Sequence, residues 1–510
     1  MKKKAFLFFL LVSFVVAKSQ TFSKRFFFDG VGTQCYAVEL RDTFMFVAGV
    51  IADTTTNGGI KSVLAKFDYS GNEISKTLLR PTENPSYVAT RENSMITTTD
   101  GGIVATGYAT DTLGKILLSI TKYDSQGNIQ FYKAIKPNVP GYRTIFGEKL
   151  IEYTNKGYYI TGGIQLSNYS VKPFLCFTDF NGNLIFFKTY TTNTFYDGVR
   201  GITKLPDSNI AISISSSENN PNPWENIGYS RLFKIDTTGL LLHAYTFYDS
   251  NTYTQYNLSL TPDSNYLICG KYFGLRHQGQ GYKMQCCIVK WDTSFNPLWS
   301  YKSGSFYDIN SYTDFEQANN EDIILCGQEG CDSTCGWGLV GRITKIDKNS
   351  NQIWDRHYKG FTSQSIPYDE QNNLYDIDLM PNGDIIAVGT CQHQTIGQMG
   401  WLLHLNADGC MDDGTCGYTE IKEHAQPQNT ESIRVFPNPS NGIFTIYANA
   451  DLPPAACITV FDINGKQLLR QPFFNQANLL NLHHLPNGIY LYEIGNGLVK
   501  TYSGKLAIEK

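Results

Sequence analysis

Short runs in which apolar and polar residues alternate, each closed by a turn, recur along the whole chain, and no long stretch carries apolar residues at helical spacing. Thr43-Phe44-Met45-Phe46-Val47 is typical, and a period of two predicts half-buried β-strands. The runs keep phase. Leu64-Ala65-Lys66-Phe67-Asp68, Ile120-Thr121-Lys122-Tyr123-Asp124, Leu232-Phe233-Lys234-Ile235-Asp236, Ile288-Val289-Lys290-Trp291-Asp292 and Ile343-Thr344-Lys345-Ile346-Asp347 share one pattern, and weaker copies end at Asp179 and Asn406. Successive anchors at 68, 124, 179, 236, 292, 347 and 406 stand 56, 55, 57, 56, 55 and 59 residues apart.

Each copy has one internal grammar. A strand leads to a turn such as Thr99-Asp100-Gly101-Gly102 or Pro381-Asn382-Gly383-Asp384, followed by an apolar strand ending in glycine: Gly49, Gly107, Gly162, Gly270, Gly327 and Gly389, with Ser213 in the fourth copy. A variable loop reaches the Lys-x-Asp strand, and a hairpin such as Ser70-Gly71-Asn72 opens the last one. Four strands per unit at this period predict an all-β fold, a seven-bladed β-propeller over residues 20–416. The recurrent glycine predicts a crowded position where another chain segment comes close. The seventh copy lacks a good fourth strand. Phe22 to Phe28 resembles Ile353 to Tyr358, so an N-terminal strand is expected to complete the last blade and remove an open edge.

Composition agrees with many strands and tight turns: 32 Tyr, 31 Phe and 45 Gly, with 17% charged residues. The N-terminus reads as a signal peptide over 1–19. Lys2, Lys3 and Lys4 precede the apolar stretch Ala5 to Ala17, and cleavage is expected between Ser19 and Gln20. Its removal takes away four lysines and moves the formal charge from −4 to −8. An acidic chain with no basic stripe speaks against a nucleic-acid partner. No second apolar run is long enough to predict a membrane span in the mature chain. Twelve cysteines in an exported chain allow disulfides, and Cys331 with Cys335 and Cys410 with Cys416 are the expected local pairs.

The middle of the chain resembles propeller repeats of exported Bacteroidetes proteins, roughly Asp-Gly-Gly, apolar strand, Gly, loop, Lys-x-Asp-x-x-Gly-Asn; Asp100-Gly101-Gly102 through Gly127-Asn128 matches it. That resemblance implies a fold and no activity. After a polar linker at 417–432 comes a compact β-rich segment, 433–510, expected to form a small immunoglobulin-like β-sandwich. Its motifs are Val435 to Phe444 (with Pro437, Asn438, Pro439 and Gly442), Thr459 to Lys466 (with Asp462 and Gly465), Leu485 to Tyr490 (with Gly488 and Tyr490), and Gly504 to Ile508 (with Lys505). In this order they resemble the type A sorting domain of the Bacteroidetes type IX secretion system. The resemblance implies the secretion translocon and its sorting peptidase as partners, and release or attachment at the outer cell surface.

No catalytic, cofactor or metal site is expected. His483-His484 lies on a strand whose adjacent side chains diverge. Cys286-Cys287 fits strand packing, and Asp408, Asp412 and Asp413 lack the spacing of a calcium loop. The repeated lysines each have an Asp nearby and read as structural. Three functions remain open: a binding or adhesion scaffold for a glycan or protein, using loops such as Ser216 to Tyr229 and Tyr272 to Lys283; a secreted hydrolase, lyase or oxidoreductase; or a structural component of an extracellular layer.

Overall fold

The computed structural model describes residues 21–53, 59–79, 85–192, 194–217, 228–247, 253–273, 284–304, 310–330, 338–360, 371–393, 396–417, 433–448, 456–462, 466–474, 477–495 and 500–510. Among these, regular structure is all β, and no helix is long and apolar enough to cross a membrane. The contacts divide the chain into two compact units, Met1–Tyr418 and Thr419–Lys510. The expected signal cleavage at Ser19 and Gln20, the pair Cys331 and Cys335, most of the loops 216–229 and 272–283, and Gly465 lie outside the described residues.

In the first unit the described strands form seven antiparallel groups of four. Their first strands, called inner strands below, are Thr33–Leu40, Pro85–Thr97, Thr144–Tyr153, Tyr196–Lys204, Tyr253–Leu260, Ser311–Gln317 and Gln371–Leu379, and the groups are numbered sheets 1 to 7 accordingly. Single parallel pairs, Val171 with Tyr196 and Leu339 with Gln371, join sheets 3 to 4 and 6 to 7. The fourth strand of sheet 7 is Phe22–Phe26, paired from Phe22 with His404 to Phe26 with Gly400. Each inner strand contacts the next, and Gln371–Leu379 contacts Thr33–Leu40.

Alternation along the middle strands explains the packing. In sheet 7, Ile385, Ala387, Leu403 and Leu405 join Ile324, Ile343 and Tyr358 of sheet 6 in one core, while Ile386, Val388 and Leu402 join Val38, Val47 and Val63 of sheet 1 in another. Both faces of such a strand are buried, so Ile385-Ile386-Ala387-Val388 reads as a continuous apolar run rather than an alternating one. Comparable cores lie between sheets 1 and 2, 2 and 3, 3 and 4, 4 and 5, and 5 and 6. Trp291 and Trp401 are the largest side chains buried in them.

The repeat glycine has a specific cause. Every inner strand carries a register shift near its middle, and the glycine of the second strand pairs with the residue before it, as Gly49 does with Cys35 and Gly389 with Leu374. A Cβ on Gly49, Gly162, Gly327 or Gly389 would lie 2.0, 1.9, 1.9 or 1.8 Å from the carbonyl oxygen of Gln34, Phe146, Ser311 or Asn373. The crowding is therefore backbone against backbone. In the fourth copy the register puts Ile214, opposite Arg231, in the glycine's place, and Ser213 falls one residue earlier, facing Gly201. The expectation that Ser213 replaces the glycine is corrected by one residue.

Cys410 and Cys416 form a disulfide in the segment after sheet 7. That segment is tied down at both ends: Tyr358 Oη donates to the Gly409 carbonyl at 2.6 Å, Arg356 Nη1 donates to the Cys416 carbonyl at 3.1 Å, and the Thr21 amide donates to Asp412 Oδ2 at 3.1 Å.

The second unit holds a three-stranded sheet, Ile433–Phe436, Ile443–Ala448 and Ala477–Asn481, and a four-stranded sheet ordered Gln467–Pro472, Cys457–Phe461, Gly488–Gly495 and Lys500–Ile508. Phe444, Ile446 and Leu480 from the first and Ile458, Val460, Tyr492, Ile494 and Leu506 from the second share one core.

Candidate functional site

The register shift leaves one residue of each inner strand, and four of the second, without a paired residue opposite. The residues skipped are Tyr36, a longer bulge over 91–94, Glu148, Arg200, Tyr256, Thr313 and Tyr375. Two adjoining cavities form there. One is lined by Glu92, Asn93, Glu148, Lys149, Arg200 and Thr313, contributed by sheets 2, 3, 4 and 6. The other includes Tyr36, Thr90, Arg91, Glu92 and Tyr108. Glu148 sits between two guanidinium groups, Arg91 Nη2 at 3.2 Å and Arg200 Nη1 at 3.4 Å. The Arg91 guanidinium also lies 5.4 Å from the Phe146 ring, which meets Tyr108 edge-on at 5.2 Å. Tyr36 and Tyr375 place their rings 5.4 Å apart. Charged forks held by one another, beside aromatic faces, make a stiff polar pocket.

One residue further along the inner strands lies a layer of buried polar groups. Asp314 Oδ2 accepts the Ile377 amide at 3.2 Å, and Asp376 Oδ2 accepts the Val38 amide at 2.7 Å. Asp378 Oδ2 accepts the Leu40 amide at 3.0 Å. These carboxyls tie sheet 6 to sheet 7 and sheet 7 to sheet 1. Asn257 of sheet 5 donates through its side-chain amide to Asp314. Burial, then the neighbouring Asp314, pushes Asp376 well above the usual carboxyl range. Burial likewise raises Glu316 and Asp378.

Glu39 is pushed up to about 7, first by burial, against hydrogen bonds from Thr97, whose hydroxyl donates to it at 2.6 Å. A carboxyl raised by folding favours the folded chain fully below its unfolded value of 4.5, and that advantage is lost as pH rises through about 7. Asp376, Glu316 and Asp378 act in the same direction. The thermal midpoint is therefore expected to fall between pH 5 and pH 8, and Glu39→Gln is expected to reduce that fall. Differential scanning calorimetry across the range checks it; a midpoint that rises with pH contradicts it.

Of the repeated lysines, Lys66 reaches Gln126 Oε1 at 3.3 Å and lies over the Phe44 ring, and the other four pair with aspartates. Lys122, Lys234, Lys290 and Lys345 pair with Asp100, Asp207, Asp263 and Asp322, on the turn between the first and second strands of their own sheets, at 2.7, 2.6, 2.9 and 3.3 Å. The anchor aspartates close the next hairpin: Asp68 Oδ1 accepts the amides of Ser70 and Asn72, and Asp124, Asp179, Asp292 and Asp347 repeat the arrangement. The side-chain amides of Asn296 and Asn351 hold Asp292 and Asp347 below the usual range. Cys286 and Cys287 are both buried free thiols, as are Cys269 and Cys326. Burial pushes Cys286 up to about 12, which leaves it a poor nucleophile at neutral pH. Among the described residues, no three His, Cys, Asp or Glu side chains form a group that could hold a metal.

In the second unit the motif residues meet at the chain's end. Asn438 uses its side-chain amide as a strand would use its backbone: Nδ2 donates to the Lys505 carbonyl and Oδ1 accepts the Ala507 amide, both at 2.8 Å. Ser440 continues the contact, donating its amide to the Ala507 carbonyl and accepting the Glu509 amide. Pro437 and Pro439 flank Asn438 on the surface. Gly442 has φ +105°, and a Cβ there would lie 2.7 Å from the His483 Cα, so that position requires glycine. Asp462 Oδ1 caps its turn through the Lys466 amide at 2.9 Å. Tyr490, buried two residues after the exposed Gly488, donates its hydroxyl to the Pro486 carbonyl at 2.9 Å. Lys505 is exposed.

Residues 434–509 match the secretion system C-terminal sorting domain. The chain is type IX secretion cargo. It is exported to the cell surface or the medium, and handling by the type IX machinery follows from the same domain. No curated protein matches the chain. Among solved structures it is similar to puromycin hydrolase, at 13% identity and TM-score 0.45, covering 82% of this chain. The chain spans 59% of that protein's length. It is also similar to an ulvan lyase, a polysaccharide lyase, at 9% identity and TM-score 0.48 over 75% of this chain and 96% of the lyase. A Dyadobacter fermentans protein of unknown function gives 9% identity and TM-score 0.42 over 75% of this chain and 97% of that one. At these scores none of them assigns a reaction to this chain.

Sequence reasoning missed the pocket because the bulge residues that line it, such as Tyr36, Glu148, Arg200 and Thr313, share a position and no residue type. A signal was there: Glu148, Tyr256, Thr313 and Tyr375 each stand fourteen residues before Gly162, Gly270, Gly327 and Gly389.

Proposed function

We propose that the cargo is a seven-bladed β-propeller over residues 20–416, joined through a linker at 417–432 to its sorting domain at 433–510, and that it works outside the cell as a glycan-binding scaffold. Three features support the propeller: seven four-stranded groups in register with the sequence repeat, cores between every consecutive pair including sheets 7 and 1, and the N-terminal strand completing sheet 7. The observation that carries the binding reading is the pocket where the inner strands converge. It sets Tyr36, Tyr375 and Tyr108 beside the fixed Arg91–Glu148–Arg200 group. Apolar ring faces with a few held polar groups suit a sugar, whose C–H faces stack on rings and whose hydroxyls take paired hydrogen bonds.

A glycan array probed with the secreted chain tests this. Binding is expected, and Tyr36→Ala with Tyr375→Ala is expected to weaken it at least about tenfold, the scale of losing one or two ring contacts. An array without signal overturns it. A second reading, a secreted hydrolase or lyase, is favoured by the buried carboxyl pair Asp314 and Asp376, joined by a side-chain hydrogen bond. Glycan turnover that is lost in Asp376→Asn, with binding kept, would select it.

A further inference from the structure

A turn of one kind recurs through the first unit. The amide of its first residue donates to the carbonyl of the fifth, and the amide of the fourth donates back to the carbonyl of the first, as in 68–72, 111–115, 124–128, 166–170, 205–209 and 292–296. The fourth residue takes a left-handed backbone, which suits glycine or a small polar residue, and Gly71, Gly114, Gly127 and Ser208 stand there. Two of these turns carry an aromatic residue instead, Phe295 at φ +62° and Tyr169 at φ +65°. Phe295 has a packing reason: it is 4% exposed and stacked on Trp291 at 4.4 Å. Tyr169 is 54% exposed and belongs to none of the described cores. A bulky residue held in this conformation without burial is an outlier that the fold does not account for.

What meets the Tyr169 ring is a charge. The Arg143 guanidinium lies 4.2 Å from the ring centroid. Arg143 opens the inner strand of sheet 3, five residues before Glu148, and its amide donates to the Gln165 carbonyl at 2.7 Å, which brings it beside the turn. Its side chain is exposed and makes no hydrogen bond or ion pair with a described residue. Next to it, Lys115 donates to the Tyr142 carbonyl and lies over that ring, which draws the turn 111–115 alongside with Leu113 at its tip, 91% exposed.

We infer that Tyr169 and Arg143 form a second binding site, on the surface, for a polysaccharide strand that carries anionic groups, carboxylate or sulfate. The C–H face of a sugar ring stacks on the tyrosine, and the guanidinium takes the anion through paired hydrogen bonds. The strained turn holds the ring outward, where the fold has no use for it and a ligand does. The site needs nothing of the central pocket, so either can stand without the other. With a formal charge of −4 the chain offers a polyanion no general attraction, so binding reports a local site.

The test is biolayer interferometry of the full secreted chain on immobilised polygalacturonate, dextran sulfate and dextran. At least one of the two polyanions is expected to bind at least about tenfold more tightly than dextran, and the pair of surfaces separates carboxylate from sulfate. Tyr169→Gly is expected to weaken that binding at least about tenfold, while its thermal midpoint equals or exceeds that of the parent, because glycine is the residue this turn favours. Tyr169→Phe keeps the binding, and Arg143→Gln brings the polyanion down to the level of dextran. Unchanged polyanion binding in Tyr169→Gly overturns the site. So does a clearly lower midpoint in that variant, which would show that the ring serves the fold. Binding lost in Tyr36→Ala with Tyr375→Ala but kept in Tyr169→Gly overturns this site and leaves the central one standing, and polyanion surfaces without signal remove this site alone.

Discussion

Gly389→Ala and Gly162→Ala are each expected to destabilise the repeat unit by about 3 kcal/mol or more, at the upper end of what overpacking a filled site costs. The added Cβ would sit 1.8 Å from the Asn373 carbonyl oxygen in the first case and 1.9 Å from that of Phe146 in the second. These are backbone atoms of the bulge, fixed by pairs on both sides: Leu374 with Gly389 and Asp376 with Val388 in sheet 7, Gly147 with Gly162 and Lys149 with Thr161 in sheet 3. No rotamer change relieves the clash, so the inner strand must move, and it carries Tyr375 or Glu148 with it. Gly32 provides the control. Its backbone angle is ordinary and a Cβ there meets only the Gln398 carbonyl oxygen, at 3.9 Å, so Gly32→Ala should be neutral or slightly stabilising. Urea unfolding of the three variants checks the set. A Gly389→Ala protein within about 0.5 kcal/mol of its parent would show that the bulge is not the reason for the glycine.

Much of this was legible in the chain because strands and turns are local. The Lys-x-Asp strand and its hairpin repeat visibly, since the aspartate must cap amides two and four residues on, a constraint contained within five residues. The glycine repeat was legible too, although its cause, a carbonyl on the neighbouring strand, was visible only in three dimensions. Ser213 marks where that reading slipped by one residue: the fourth copy has no glycine to align on, and strand pairing puts Ile214 in the slot. The pocket stayed hidden for a different reason. Tyr36, Arg91, Glu148, Arg200 and Tyr375 belong to four sheets besides that of Tyr36, and nothing local requires one residue type at a bulge. The sorting motif could be recognised without its mechanics. That Asn438 serves as a strand edge for residues 505 to 507 could not be read from a sequence separation of 67 to 69 residues.

Loss of export is the other large effect, and the fold explains why it should be clean. The first unit closes its last sheet with Phe22–Phe26 and secures residues 409 to 416 against Tyr358 and Arg356, so nothing beyond residue 417 is needed for its described cores. The second unit has two sheets and a core of its own, from Phe444 to Ile508. A chain ending at residue 430 should therefore fold and bind as before while lacking its address, and residues 417–510 fused to an unrelated periplasmic protein should carry that address. Fractionating a type IX-competent host that expresses the full chain, the shortened chain and the fusion is the measurement that decides it. The full chain and the fusion are expected at the cell surface or in the medium, with the shortened chain folded in the periplasm. Surface display of the shortened chain at the level of the full one would contradict the account.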